Sequence, residues 1–419
     1  MSFGYYNNNI QVAVKTGSTV DSSFNTFYKN SGQTTGFKLN GVDIANYITP
    51  YAVGFGTDND YSYTANSLNF NRIFSFTKPT INITHNGTYS QDSNYTYYKF
   101  TNLTGNSLSI TKPNIDAITS ELTNDPIIFK ILLIGGGGAG ANAYVNSTER
   151  FPGAGGGGAG AFVSIEFQAT GSIFNNNIIS FTPVIGAGGN AAPSYNSAGY
   201  EGGISSLSIN LNNVYNINAG GGEGGYPVVQ RQYMIESNRR YNSTLSGSSG
   251  GVSSPYTERA TYTSSSIHSP AGYTISPTSS LFTIASFHRT GGGSFTSDEY
   301  GVDGWYYAGY GGGGGGGAGG DGSWGGWTGG GAGGNGKQWI NGIYYAGGGG
   351  GTDNSAPGGN VGSGGSGGGG GNGQIGGYGS GANNTGSGGS GGWANSFTTG
   401  GSGICIIAIS NTAYNKYFI

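Results

Sequence analysis

Ile131-Leu-Leu-Ile-Gly135-Gly-Gly137-Gly-Ala-Gly140 carries the residue types of a dinucleotide site, an apolar strand running into Gly-x-Gly-x-x-Gly. In that chemistry a helix opens on the glycines and its free amides hold a pyrophosphate. The context here argues against it. Asn and Pro residues follow, a second glycine run occupies 155–158, and no acidic-ended second strand completes a βαβ unit. Gly331-Ala-Gly-Gly-Asn-Gly336-Lys337-Gln338 approaches a phosphate-cradling P-loop. Gln338 stands where a magnesium-holding hydroxyl is needed, and no hydrophobic strand precedes it. In a chain with 89 glycines such matches arise by chance, so no cofactor is expected.

The other reactive residue types are equally scattered. His85, His268 and His288 lie far apart and none has the spacing of a metal ligand set. Cys405, the one cysteine, lies within an apolar run and reads as a small hydrophobe. Asp298 and Glu299 adjoin Tyr300, and a two-carboxylate hydrolase would need such acids, but nothing beyond their presence points to one. No triad or nucleophile elbow is visible. The expectation is a protein that is not an enzyme, with no catalytic, cofactor or metal residues. Asn82, Asn86, Asn94, Asn102, Asn146, Asn242 and Asn383 each begin Asn-x-Ser/Thr. In an Asn- and Thr-rich chain many of these arise by chance, and they read as unmodified surface residues.

Composition narrows the class further. Of 419 residues, 89 are Gly and 30 Tyr, while only 8% are charged. Tyr, Thr and Ile favour strands, and Gly, Asn and Ser favour turns. Low charge separates the chain from the common disordered class. The formal net charge is −3, and beyond Arg231, Arg239 and Arg240 no basic cluster exists. A phosphate-tracking groove needs several basic side chains, so nucleic acid is not an expected partner. The start lacks a basic region followed by an apolar core, so no export signal is expected, and no run of 18 apolar residues predicts a membrane span. These features lead to the expectation of synthesis in a host cytoplasm and incorporation into a particle there.

The elements that position these residues are read as all-β: sandwich-like units with extended, packed glycine segments. Residues 1–60 form an N-terminal assembly or attachment segment. Within it Asn40-Gly41 marks a hairpin, with Phe37 and Leu39 alternating before it and Val42 and Ile44 after it. Residues 61–126 form a β-rich unit in which Phe74-Ser-Phe-Thr-Lys-Pro79 and Leu108-Ser-Ile-Thr-Lys-Pro113 are near-copies. Residues 127–225 plus 403–419 form a β domain. Its buried strand is Ile127-Ile-Phe-Lys-Ile-Leu-Leu-Ile134, and its last strand, at 403–409, returns after a very long excursion. That excursion comprises a Ser/Thr/Tyr-rich insert at 226–300 and a glycine-rich, aromatic-punctuated region at 301–402.

Ordering glycine is expensive, because it loses the most backbone freedom and buries no side chain. A tract such as Gly311 to Gly317 is therefore either a loose tether or a structure held by its own backbone groups. All five Trp residues lie in 301–402, and such rings supply the apolar area that glycine lacks. The expectation is that extended glycine strands pack side by side as left-handed helices with three residues per turn, their N–H groups reaching neighbouring carbonyls. The aromatics Trp305, Tyr306, Tyr307, Trp324, Trp327, Trp339, Tyr344 and Tyr345 are the candidate ligand contacts, since such rings suit sugar faces if they line an open rim.

Three stretches carry a family resemblance. They are Thr35 to Tyr51; Phe129 to Gly140 with Gly155 to Ser164; and Thr182-Pro-Val-Ile-Gly-Ala-Gly-Gly189 with the glycine-rich tail and the strand at 404–409. Together the chain resembles the glycine-rich surface and fibre proteins of large double-stranded DNA viruses, and is similar to glycine-rich bacteriophage tail-fibre proteins. The resemblance covers most of 35–51 and 127–411. It implies a structural component of a virion surface, fibre or spike, on the capsid surface or in host attachment. It also implies a homo-oligomer, a trimer being favoured, that meets other virion proteins and in some cases a host glycan or receptor. The insert at 226–300 departs from phage adhesins. The alternatives kept open are a receptor- or carbohydrate-binding adhesin using exposed Tyr and Trp, and a polysaccharide hydrolase.

Overall fold

Strands whose apolar residues alternate with period two place one face against an apolar interior. The computed structural model describes residues 2–3, 14–15, 38–39, 42–43, 80–114, 116–143, 153–174, 176–195, 197–227, 247–251, 272–289, 291, 311–326, 329–353 and 360–419. Its principal strands are β1 (Asn82–His85), β2 (Thr88–Gln91), β3 (Tyr95–Phe100), β4 (Leu108–Thr111), β5 (Ile127–Ile134) and β6 (Phe162–Ala169). They continue with β7 (Ile178–Val184), β8 (Ser205–Asn210), β9 (Val214–Ala219), β10 (Tyr273–Ser276), β11 (Phe282–Phe287) and β12 (Ile404–Ser410). They form two six-stranded sheets, in the orders β11–β6–β5–β12–β3–β2 and β10–β9–β8–β7–β4–β1. Every pairing within them is antiparallel.

The inner faces of the two sheets share one core. Phe129 and Phe167 of the first sheet stack 5.0 Å apart, and Phe129 lies 5.4 Å from Phe181 of the second. Leu108, Ile110, Leu207, Ile209, Cys405 and Ile407 fill the space around them. Residues 131–134 of β5 and 404–409 of β12 are apolar at every position because both their faces are covered, whereas Ile128 and Lys130 of β5 keep contact with solvent. Phe129, Ile131 and Leu133 face this core, while Leu132, Ile134, Ile404 and Ile406 belong to a second cluster on the outer face of the first sheet. β12 lies between β5 and β3, so the strand that closes the excursion becomes a central one.

Two features depart from the sequence expectation. The unit at 61–126 and the domain at 127–225 share both sheets, so the division drawn at 126 runs through the sandwich. The insert at 226–300 supplies the edge strands β10 and β11, whose Ile275, Phe282 and Ile284 pack on the main core. β10 has only four residues, and the alternation of Phe282 and Ile284 in β11 is short enough to be lost in a polar insert. In the N-terminal segment, Lys38–Leu39 pairs antiparallel with Val42–Asp43, the arrangement that Asn40-Gly41 predicts. The first near-copy, 74–79, lies outside the described residues.

Two helices close one end of the sandwich. α1 (Asp116–Asn124) buries Ile118 and Leu122, spaced four residues apart on one helix face. α2 (Asn411–Tyr417) begins at Ser410, whose side chain accepts from the Ala413 N–H. Lys416 binds Glu121 at 2.9 Å and Asp125 at 2.7 Å, and the Tyr417 hydroxyl donates to Asp125 O, joining the two helices. At the opposite end the strands run into glycine. β5 continues as 135–141, β7 as 186–190 and β9 as 220–226, while 153–161, 197–203 and 398–403 lead into β6, β8 and β12.

Candidate functional site

Segment 153–161 shows how the glycines are organised. Gly155, Gly158 and Ala161 donate to Tyr226, Glu223 and Gly220, a step of three on each side. Gly156 and Ala159 donate to Gly313 and Gly316, and Gly157 and Gly160 donate to Gly389 and Gly386. The donors thus rotate among three neighbours with period three, as a left-handed extended helix with three residues per turn requires. The carbonyls rotate in the same way. Gly138 and Ala141 donate back to Gly158 and Gly155; Ser248 and Gly251 to Ala159 and Gly156; Gly349 and Thr352 to Gly157 and Ala154.

The six surrounding segments close into a ring. Gly222 donates to Gly136, Glu223 to Ser248, Gly316 to Ser249, Gly315 to Gly349, Gly388 to Gly347 and Gly389 to Gly138, at 2.7–3.1 Å. The ring therefore runs 135–141, 220–226, 248–251, 312–316, 347–352, 386–392 and back. Every link lies within one chain. Segment 135–141 also bonds to 186–190, 197–203 and 398–403, and segment 347–352 also bonds to 331–336, 360–366 and 368–371, so the array extends on both sides. The expectation placed such packing in 301–402; the structure extends it to the glycine runs that flank the sandwich strands.

Glycine is required because the backbones touch. A Cβ on Gly138 would overlap the Glu223 carbonyl, and one on Gly157 would overlap the Gly138 carbonyl. Methyl groups are accepted where the lattice meets an apolar neighbour: Ala159, Ala318 and Ala346 join the outer cluster of the first sheet. Ser205 links the two periodicities. Its hydroxyl accepts from the Gly186 N–H at 2.8 Å and donates to Ile134 O at 2.6 Å, where β5 becomes lattice.

The candidate aromatics separate into groups. Trp339 and Tyr345 are 6% and 4% exposed, and the Trp339 ring lies 6.1 Å from that of Tyr97 on the outer face of the first sheet. They come from the paired strands Lys337–Gln338 and Tyr344–Tyr345 and the turn between them, which cover Leu132, Ile134 and Ile406. As ligand contacts these two are corrected: burial against the sheet commits them to the interior. Trp324 and Tyr344 are each 46% exposed. Trp305, Tyr306, Tyr307 and Trp327 lie outside the described residues. An exposed pair that the sequence reading missed is Tyr195 and Phe397, with ring centroids 5.9 Å apart. Only folding brings residues so distant in sequence together.

The residues that resemble catalytic motifs have other tasks. Gly135 to Gly138, and Gly331, Gly333, Gly334 and Gly336, give their amides to neighbouring carbonyls, and Lys337 Nζ sits 3.9 Å from the centre of the Phe287 ring. His85 packs edge-on against Tyr98, while burial and then the charge of Arg289 lower the pKa of His288. Cys405 is fully buried, which pushes its thiol pKa far up. Asp298, Glu299 and His268 lie outside the described residues. Among the described residues no group of His, Cys, Asp and Glu is placed to hold a metal, and no helix is long and apolar enough to cross a membrane.

Fold and lattice together define a structural class, an antiparallel β-sandwich whose strands extend into a backbone-bonded glycine array. The chain belongs to the glycine-rich domain family, whose model matches residues 115–410, from just before α1 to the end of β12. A comparison with curated proteins gives no match.

Proposed function

We propose that this protein is a structural component of a virion surface, fibre or spike, assembled in the host cytoplasm and working as a homo-oligomer, with a trimer favoured. The observation that carries the reading is the closed ring of hydrogen bonds around segment 153–161. A rod bundle bonded through its main chain needs no ligand, metal or charge to hold its shape. It suits a part that must stay stiff outside a cell, and the low surface charge suits dense packing beside other virion proteins. The buried positions of Trp339 and Tyr345 favour this reading over one in which those rings hold ligand. Immunogold imaging of intact purified particles tests it. Label on the particle surface is expected; particles lacking the chain would overturn it. Sedimentation of the purified protein tests the trimer, and a folded species that stays monomeric would remove it.

The second reading is a glycan- or receptor-binding adhesin, favoured by exposed Trp324 and Tyr344. It predicts host-glycan binding that Tyr344→Ala weakens at least about tenfold, the scale of a lost aromatic contact. Binding unchanged by substitution at both rings would reject them as contacts. The hydrolase reading rests on Asp298 and Glu299 alone.

A further inference from the structure

The sequence offers seven Asn-x-Ser/Thr acceptors of similar appearance, and the fold distinguishes the five that lie among the described residues. Glycosyl transfer to asparagine brings the hydroxyl of the third residue toward the acceptor amide. The three residues must therefore bend together and face solvent. Asn86 fails this requirement: its Nδ2 donates to Gly105 O at 2.6 Å and its Oδ1 accepts from the Ser107 N–H at 2.9 Å. Asn82 and Thr84 are held straight in β1 by pairing with Thr111 and Ser109 of β4. Behind Asn94, Thr96 is fully buried and its hydroxyl donates to Asn411 Oδ1 at 3.0 Å. Behind Asn383, the Thr385 hydroxyl donates to Ala382 O at 2.6 Å.

Asn102-Leu103-Thr104 differs from all of them. Each residue is exposed, Leu103 by 51%, and the main chain is already bent between β3 and β4. That bend is fixed from beneath. Asn106 Nδ2 donates to Asn102 O at 2.6 Å, and the Ile185 N–H donates to Leu103 O at 3.1 Å. The three side chains project from a prepared turn beside the junction of sandwich and lattice.

We propose that Asn102 is an N-glycan acceptor of this protein. Asn102 Nδ2 forms a bond to the anomeric carbon of a sugar diphosphate donor as the bond from that carbon to the phosphate oxygen breaks. The diphosphate departs with the electron pair, and the amide gives up one proton to base. The donor is a nucleotide sugar or a lipid-linked oligosaccharide. The proposal goes beyond the particle reading and does not depend on it.

Fragment mass spectrometry of the full-length protein, purified from the cells that make it, tests the proposal. A carbohydrate mass localised to Asn102 is expected. A single-sugar increment identifies a nucleotide donor, and a common core oligosaccharide identifies a lipid-linked one. A bare Asn102 peptide would overturn the proposal, whether or not other acceptors carry sugar. Asn102→Gln and Thr104→Ala should each remove the mass, and Thr104→Ser should keep it, with the unfolding temperature unchanged in all three. Loss in Asn102→Gln but not in Thr104→Ala would also overturn it, since the linkage would then not follow the three-residue acceptor.

Discussion

At the scale of single residues, the side chain that glycine lacks decides more than most of those present. In Gly157→Ala the new methyl meets the Gly138 carbonyl, and rigid main chain cannot yield as a side chain would. The expected cost is about 3 kcal/mol, read as a fall in the urea unfolding midpoint. Gly329→Ala is the control, because no atom lies within 4 Å of its Cβ position, and it should leave the midpoint unchanged. Equal loss in both variants would mean that close packing is not what selects glycine. Cys405, shielded and held protonated, should resist maleimide in the folded protein and react once per chain after unfolding. Asp92 sets an acid-side dependence. The Tyr97 hydroxyl donates to it at 2.6 Å, the Asn94 and Tyr95 N–H groups donate as well, and together they hold its pKa below the usual carboxylate value. A folded pKa below the unfolded one gives stability that is present above the unfolded value, about 4, and lost as pH falls through the folded value. Asp92→Asn should therefore flatten the unfolding midpoint between about pH 2 and 5, leaving less acid-side slope than in the parent protein.

At the scale of elements, the joint between period two and period three is the main invention of the fold. A β-strand bonds two neighbours in a plane, whereas a three-residue helix bonds neighbours all around its axis. Each strand that enters the lattice therefore passes from a layer into a bundle. The turn-linked strands Lys337–Gln338 and Tyr344–Tyr345 brace this passage, with Trp339 pressed on the first sheet. Trp339→Ala should cost about 3–5 kcal/mol and expose apolar surface that a hydrophobic dye detects. Dye binding unchanged from the parent protein would argue that the sheet face is covered in some other way. Amides of 155–161 should exchange as slowly as those of β5, because both sets are bonded and enclosed. Exchange at random-coil rates would remove the lattice as a stable element.

At the scale of the whole molecule, the lattice depends on the sandwich. The ring around 153–161 joins segments from 135 to 392, and the sandwich strands carry several of them into register. Much of this was legible in the sequence. Period-two alternation marked β4; apolar stretches closely flanked by glycine marked β5, β7, β8 and β9; the Asn40-Gly41 pair marked the hairpin; and glycine runs with interspersed aromatics marked a backbone-held array. β10, β11 and α1 were not legible, because they are short, lie in polar surroundings and draw their stability from the core they join. The ligand-contact reading of Trp339 and Tyr345 failed for a related reason: an aromatic residue in a glycine tract looks the same whether its ring meets solvent or a sheet. The sequence by itself determined that the chain is all-β and that its glycine tracts, wherever they are ordered, pair through their backbones, since local propensity and hydrogen-bond accounting are properties of composition and spacing. Only the tertiary structure decided which segments neighbour which, which rings are buried, and which asparagine stands on an exposed turn, because those outcomes depend on contacts between residues tens to hundreds of positions apart.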